Sequence, residues 1–267
     1  KTNEARKPLH DIVEVSFPLL QALMVQILSN NSIEAAQVMR LVLKIFWSCT
    51  NYSLPVAQGV DVNTWFSIFS QLLEKRLPEA SEGLEPSGQP LSKEGRNAWP
   101  WWKMKKWVGR ILQHFMQRYG NPQYASEESR EFATHFRAYA APALLTPVLN
   151  TLAAHHREGS FLTENVHRQC LLFVCGGVEM SPTYKLLKPH LDFLLFGIVF
   201  PTLCISPEEI ILFEQDPVEF VRKVHSPMED WLDPRVAATN VLQTLARYRQ
   251  KDTLPRLIPF CNTTLAE

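Results

Sequence analysis

Apolar residues recur at three-and-four spacing along almost the whole 267-residue chain, and that rhythm restricts it to helices. Over residues 35–52 the stripe is Val38, Leu41, Val42, Ile45, Phe46 and Cys49. Over residues 103–119 it is Met104, Trp107, Val108, Ile111, Leu112, Phe115 and Tyr119, while Lys103, Lys106, Arg110, Gln113 and Gln117 take the opposite face. Val166, Cys170, Phe173 and Val174 repeat the pattern, and Gly176-Gly177 then reads as a helix end. Period-two alternation longer than about four residues does not occur, and no Asn-Gly or Asp-Gly hairpin signal is present. The expected fold class is all-α.

Start and stop signals divide the chain further. Pro8 opens a helix toward Leu28, and Asn30-Asn31-Ser32 forms a turn whose serine caps the next one. Asp61 or Asn63 caps a helix through Trp65, Ile68, Phe69, Leu72 and Leu73. Residues 126–129 (Ser-Glu-Glu-Ser) open a segment that Pro142 and Pro147 are expected to bend or interrupt, with 144–155 continuing it. Residues 182–200 are expected to form one very apolar helix. Asp233-Pro234 pairs a cap with a proline at the first helical position, leading into Val236, Val241, Leu242, Leu245 and Tyr248. A final helix begins near Lys251 and carries Leu257, Phe260 and Leu265.

Within the apolar stretch 191–205, Asp192 and Pro201 interrupt a run already shorter than the roughly 18–20 residues that span a bilayer. A core helix is the expectation there, and no membrane association. The segment 78–97 is rich in Pro, Gly, Ser and Glu, with little to bury, and reads as a mobile surface loop. Residues 206–233 are more polar and contain Asp216-Pro217 and Ser226-Pro227.

About ten helices joined by short turns pair at a spacing close to helical repeats of roughly 40–47 residues. Each pair has a face too apolar to leave in water, so stacking on neighbours buries it. An α-solenoid of HEAT-type antiparallel pairs is favoured over a compact bundle. The domain reading is helix pairs over 1–77, a flexible loop over 78–98, and further pairs of the same solenoid over 99–267.

Charge and cysteine content exclude several functions. Lys plus Arg equals Asp plus Glu at 27 each, whereas a nucleic-acid binder shows a basic excess. Five cysteines, Cys49, Cys170, Cys175, Cys204 and Cys261, form no disulfide framework and read as buried small apolar side chains of a reducing compartment. Nucleotide-cradling glycine loops, the HExxH pair and the GxSxG elbow are missing, so no catalytic residue and no cofactor is expected. The nearest approach to a metal cluster is His155-His156 with Cys170 and Cys175. Cys-x4-Cys is a poor zinc spacing and Cys170 lies in its helix's apolar stripe, so no metal is expected either. His190 and His225 have no evident nucleophile or carboxylate partner in the sequence.

Two motifs stand out. From Trp99 to Trp107 tryptophans and lysines interleave (WPWWKMKKW), a composition that can stack on single-stranded nucleic acid. Trp107 falls on the apolar stripe and Trp101-Trp102 at a helix start, so packing between helices is the preferred reading. The second motif is Asp216-Pro217-Val218-Glu219 with Arg222. Aspartate before proline starts a helix, Glu219 suits its positive end, and Arg222 can pair with Glu219 or Glu214.

These motifs resemble a known family. WPWWKMKKWVGRILQHFMQRYGNP is similar to the PWWKxKKWxxxILxRxFxRYGxP stretch of β-karyopherins of the importin-seven and importin-eight branch. FEQDPVEFVR at 213–222, followed by PRVAA at 234–238, resembles that family's W/F-E-x-D-P-x-E-Y/F-[IV]-R segment, a pattern shared with the exportin that recycles importin-α. LKPHLDFLLFGIVFPTLC and the earlier LKIFWSCTNYSLP are similar to further family segments, in the same order. Val218, Phe220, Pro142 and Pro147 depart from the family's usual choices.

The resemblance implies a HEAT-repeat nuclear transport receptor, this chain being a piece of its N-terminal half. Its implied partners are basic cargo such as ribosomal proteins or histones, Phe-Gly nucleoporins, and the GTPase Ran acting mainly through repeats outside this chain. Neither direct nucleic-acid binding nor enzymatic activity is implied, and the implied localisation is shuttling between cytoplasm and nucleus. An exportin of the importin-α-recycling type, or a HEAT scaffold outside transport, are the alternatives. The family-signature residues are Trp101, Trp102, Lys103, Lys105, Lys106, Trp107, Asp216, Pro217, Glu219 and Arg222, expected to be structural.

Overall fold

The computed structural model describes residues 7–51, 61–77, 90, 92–224 and 233–266, and no strand occurs among them. Two compact units divide the chain, Lys1–Val148 and Leu149–Glu267.

In the first unit, α1 is Lys7–Ile27, α2 Ile33–Thr50, α3 Val62–Glu74, α4 Lys93–Ala98 and α5 Pro100–Tyr119. The expected caps are in place. Ser32 accepts from the Ala35 N–H, and Asp61 accepts from the N–H groups of Asn63 and Thr64. Part of the expected loop is ordered as α4, because Ser92 caps it by accepting from Gly95 N–H. The rest of that loop, 78–89 and 91, lies outside the described residues.

Contacts fix the direction of each helix. Phe17 meets Trp65 and Leu28 meets Lys75, so α1 and α3 run the same way. Trp47 meets Trp107 and Asn51 meets Arg118, so α2 and α5 also run the same way. Leu73 meets Lys105 and Phe66 meets Phe115, which makes α3 and α5 antiparallel. In a square up-and-down bundle the two same-direction pairs lie on the diagonals, and both diagonals cannot touch. Here both pairs touch side by side. The unit is therefore two hairpins stacked in register, the arrangement of a helical repeat.

An aromatic core fills the stack. Phe46 lies 4.8 Å from Trp65, 5.1 Å from Phe69 and 6.2 Å from Phe115, ring centre to ring centre. Phe115 continues to Phe66, Tyr119, Phe132 and Phe136 at 5.3–6.1 Å. Such tilted and edge-on pairs add attraction beyond the area they bury.

The α2 stripe needs correction. Val42 and Phe46 are buried as expected, but Val38, Leu41 and Ile45 are 38, 50 and 43% exposed, and Ala35, Ala36, Met39 and Leu43 take their place inside. The helix is apolar around most of its circumference, so spacing alone does not select the inner face.

After α5 a 3-10 turn (Glu127–Ser129), α6 (Arg130–His135), a π-helical turn (Phe136–Ala140) and α7 (Ala141–Glu158) follow without a break. Pro142 and Pro147 do not interrupt the helix. The wide π turn just ahead of Pro142 makes room for a residue that cannot donate to the preceding turn.

In the second unit, α8 is Glu164–Glu179, α9 Ser181–Leu187, α10 Phe200–Leu203, α11 Pro207–Gln215, α12 Pro217–Val224, α13 Pro234–Tyr248 and α14 Gln250–Ala266. Gly176-Gly177 do not end α8. A Cβ on Gly177 would sit 2.9 Å from Thr183 Cγ2, so the glycine lets α9 pack closely instead. The apolar stretch is not one straight helix. It bends by 77° between Ser181–His190 and Phe193–Leu203, the latter beginning as a π-helical segment, Phe193–Val199. Leu191, Leu194, Leu195, Ile198 and Val199 are buried, and among the described residues no single helix is long and apolar enough to cross a membrane.

Stacking in register recurs here. Cys175 Sγ lies 3.2 Å from Thr244 Oγ1 and Arg249 bonds Val178, so α8 and α13 run the same way. Tyr184 meets Asp252, Asp192 meets Arg256 and Phe196 meets Phe260, aligning 181–203 with α14. Asp233 caps α13, with Pro234 at its first position. Its buried residues are Ala237, Ala238, Val241 and Leu245, whereas Val236 and Tyr248, expected inside, are exposed because the small alanines face the neighbouring helix.

Cations from neighbouring elements close several helix ends. Lys75 Nζ donates to Leu28 O at 2.8 Å, Lys105 Nζ to Leu73 O at 2.7 Å, and Arg118 to Asn51 O at 2.5 Å. In the second unit Arg249 donates to Val178 O at 2.9 Å, and Arg235 to Cys204 O at 3.3 Å. Terminal carbonyls have no partner in their own helix and carry its negative end, so a cation satisfies both needs. Among the described residues only Gly159 has positive φ, so glycine caps are scarce and cationic caps take over their task.

Candidate functional site: the tryptophan–lysine helix and the Asp-Pro turn

The tryptophan–lysine motif opens α5. Pro100 takes the first position and Trp99 precedes it in extended backbone. Trp99, Trp101 and Trp102 are all buried, so their faces are closed to a stacking base. Lys105 is also buried. Its Nζ bonds Leu73 O and stands 5.7 Å from the centre of the Trp102 ring, and Lys75 Nζ stands 5.2 Å from that of Trp101. The same desolvation that accompanies this contact lowers the Lys75 pKa.

Lys103 is half-buried and Lys106 exposed, so neighbouring lysines of one motif have different tasks. Trp107 is half-buried and shares the Arg110 guanidinium with Trp47, at 5.1 and 4.6 Å from the ring centres. Lys105→Met is expected to cost about 1–3 kcal/mol, since it leaves a helix-end carbonyl without its donor. Lys106→Ala is expected to cost less than about 1 kcal/mol. Urea titration of both variants measures the contrast; equal losses would place Lys105 outside the core.

The Asp-Pro motif joins α11 to α12. Asp216 Oδ1 accepts from Glu219 N–H at 2.9 Å, with Pro217 at the first position of α12. Arg222 pairs with Glu219, not Glu214, at 2.7 Å on the exposed surface. Phe213 and Phe220 meet edge-on at 5.3 Å and close the angle between the helices. The motif is a helix start, with Ser226-Pro227 and His225 outside the described residues.

Sequence reasoning missed the ion pair that anchors α11. Ser206 and Glu209 form a capping box, and Arg235 from α13 grips both Glu209 oxygens. Burial alone would raise the Glu209 pKa, but the Arg235 guanidinium and the Ser206 N–H and hydroxyl outweigh it and hold the carboxyl down at about 2.

It also missed the partner of His155-His156. Of the five cysteines only Cys170 is buried as expected; Cys204 and Cys261 are exposed, Cys49 is half-buried, and Cys175, also half-buried, faces Asn240 and Thr244 on α13. The two histidines instead meet His167, at the end of the first turn of α8, and the three form a cluster capable of holding a metal ion. Burial, with the neighbouring imidazoles, pushes His167 down to about 3 and His156 to about 4, so both are neutral at neutral pH.

Stacked same-direction helix pairs define an α-solenoid. No family model matches the chain. Whole-chain relatives are nevertheless clear. An importin β-like SAD2 homolog of Arabidopsis thaliana is 35% identical over 97% of this chain and 25% of its own length. Importin-8 of Homo sapiens is 29% identical, and that of Danio rerio 30%, each over 100% of this chain and about a quarter of its own length. Among solved structures, the exportin Cse1 in its cargo-free, cytoplasmic state superposes over 100% of this chain and 27% of its own, with a TM-score of 0.70 at 13% identity. Along its whole length the chain is similar to importin-8 and to an importin β-like protein, and it has the α-solenoid fold seen in the exportin Cse1. It spans about a quarter of the length of the curated relatives it matches.

Proposed function

We propose that this chain is a repeat segment of a nuclear import receptor that carries basic proteins, of the ribosomal-protein or histone kind, and gives them up to Ran-GTP. The observation that carries the reading is end-to-end alignment with importin-8 and an importin β-like protein. Ran acts mainly through repeats outside this chain, so release is a coupling between two binding equilibria along one scaffold. An open cleft of about 420 Å³ lined by Phe66, Ser67, Ser70, Gln71, Tyr139 and Leu144 supports nucleoporin binding. It offers apolar walls to a phenyl ring and polar groups to the adjoining backbone. Shuttling between cytoplasm and nucleus follows from the same reading.

The test uses the whole receptor and a basic cargo, with affinity measured with and without GTP-locked Ran. Cargo affinity is expected to fall when Ran-GTP is added. A rise would assign the chain to the exportin type, and no change would leave a scaffold outside transport.

A further inference from the structure

We propose that His155, His156 and His167 form a divalent transition-metal site that takes Zn2+ and ties the end of α7 to the start of α8. The chain turn between those helices creates the cluster. Gly159, at φ +69°, ends α7, and Ser160 N–H reaches back to Ala154 O at 3.1 Å, a glycine-closed helix end that reverses the backbone. Two histidines of the last turn of α7 are thereby set against the first turn of α8.

The geometry is that of converging ligands. One ligand nitrogen from each histidine lies within 4.8 Å of the other two. His156 Nε2 and His167 Nε2 are 3.3 Å apart. Two nitrogens each about 2.05 Å from a tetrahedral zinc ion are themselves separated by about 3.3 Å. The rings are mutually inclined by 63–70°, with centres 4.8–5.2 Å apart, so they surround a point instead of stacking.

The surroundings prepare the lone pairs. His155 Nδ1–H donates to Ser160 O at 2.7 Å, which fixes its tautomer and leaves Nε2 bare, the usual support for a metal-bound imidazole. Thr202 Oγ1, whose proton goes to Ile198 O at 2.7 Å, lies 3.4 Å from His167 Nε2 and can accept from a metal-bound water. His167 is only 7% exposed while His155 and His156 are half-buried, so the site opens to solvent on one side and a fourth position is left for water. An all-imidazole set selects zinc and its neighbours over magnesium or calcium, which prefer oxygen.

Isothermal titration of the purified chain with zinc chloride is expected to show one ion bound per chain, and the melting temperature to rise with zinc. Co2+ in its place should give the visible ligand-field bands of a four-coordinate site. His155→Gln and His156→Gln should each weaken zinc at least about tenfold, and the double variant should abolish stoichiometric binding. Cys204→Ser with Cys261→Ser should leave it unchanged. Should His167→Ala fail to fold, the two α7 variants decide the matter alone, since their rings reach the surface. Absence of stoichiometric zinc binding, or zinc binding that survives in the His155→Gln/His156→Gln double variant, would overturn the proposal.

Discussion

Replacing Phe115 by alanine is expected to destabilise the first unit by about 3–5 kcal/mol, the range for deleting a fully buried aromatic ring. Phe115 is 0% exposed and its ring touches Phe46, Phe66, Tyr119, Phe132 and Phe136, so neighbours pinned by one another cannot collapse into the space. For a unit of this size the loss corresponds to a melting-point drop of roughly 6–20 °C. Ile45→Ala, one helix away on an exposed face, should cost under about 1 kcal/mol. Calorimetry on the two variants separates them, and a Phe115→Ala cost as small as that of Ile45→Ala would refute the stacked aromatic core.

Glu209→Ala is expected to cost about 2–3 kcal/mol at neutral pH, because it strands Arg235 with its side chain only 27% exposed. The pH dependence has a definite sign. The folded-state pKa of Glu209 is held at about 2, below the ordinary glutamate value of 4.5, so the stabilisation is fully present above about 4.5 and is lost as pH falls toward 2. The stability gap between the native chain and the variant should therefore be constant from neutral pH down to about 4.5 and close below it. Denaturant titrations across that window measure it; a gap that persists at pH 2 would mean the carboxylate is not what holds Arg235.

Helices and their local punctuation were legible because their causes are local. Ser32, Asp61 and Asp233 cap where their spacing to the following N–H groups says they should, and Asp216 starts α12 for the same reason. The features that escaped are made by residues far apart in sequence. Lys105 finds Leu73 at a separation of 32 residues, and Arg118 finds Asn51 at 67, so nothing near either cation announces a buried or capping task. His167 follows His156 by 11 residues, and only the Gly159 turn brings them together, whereas the cysteines lie nearer a ligand spacing in sequence. The inner face of α2 is not legible for a different reason, since a helix that is apolar nearly all round owes its orientation to its neighbours.

Timing follows from the cationic helix ends. A carbonyl closed by a side chain from a later helix stays open until the later helix exists. Val178 waits 71 residues for Arg249, and at about 5–20 residues per second a ribosome takes roughly 4–14 s to supply them. A nascent chain of this kind emerges with its hairpins incomplete, and within each unit the later hairpin finishes the earlier one.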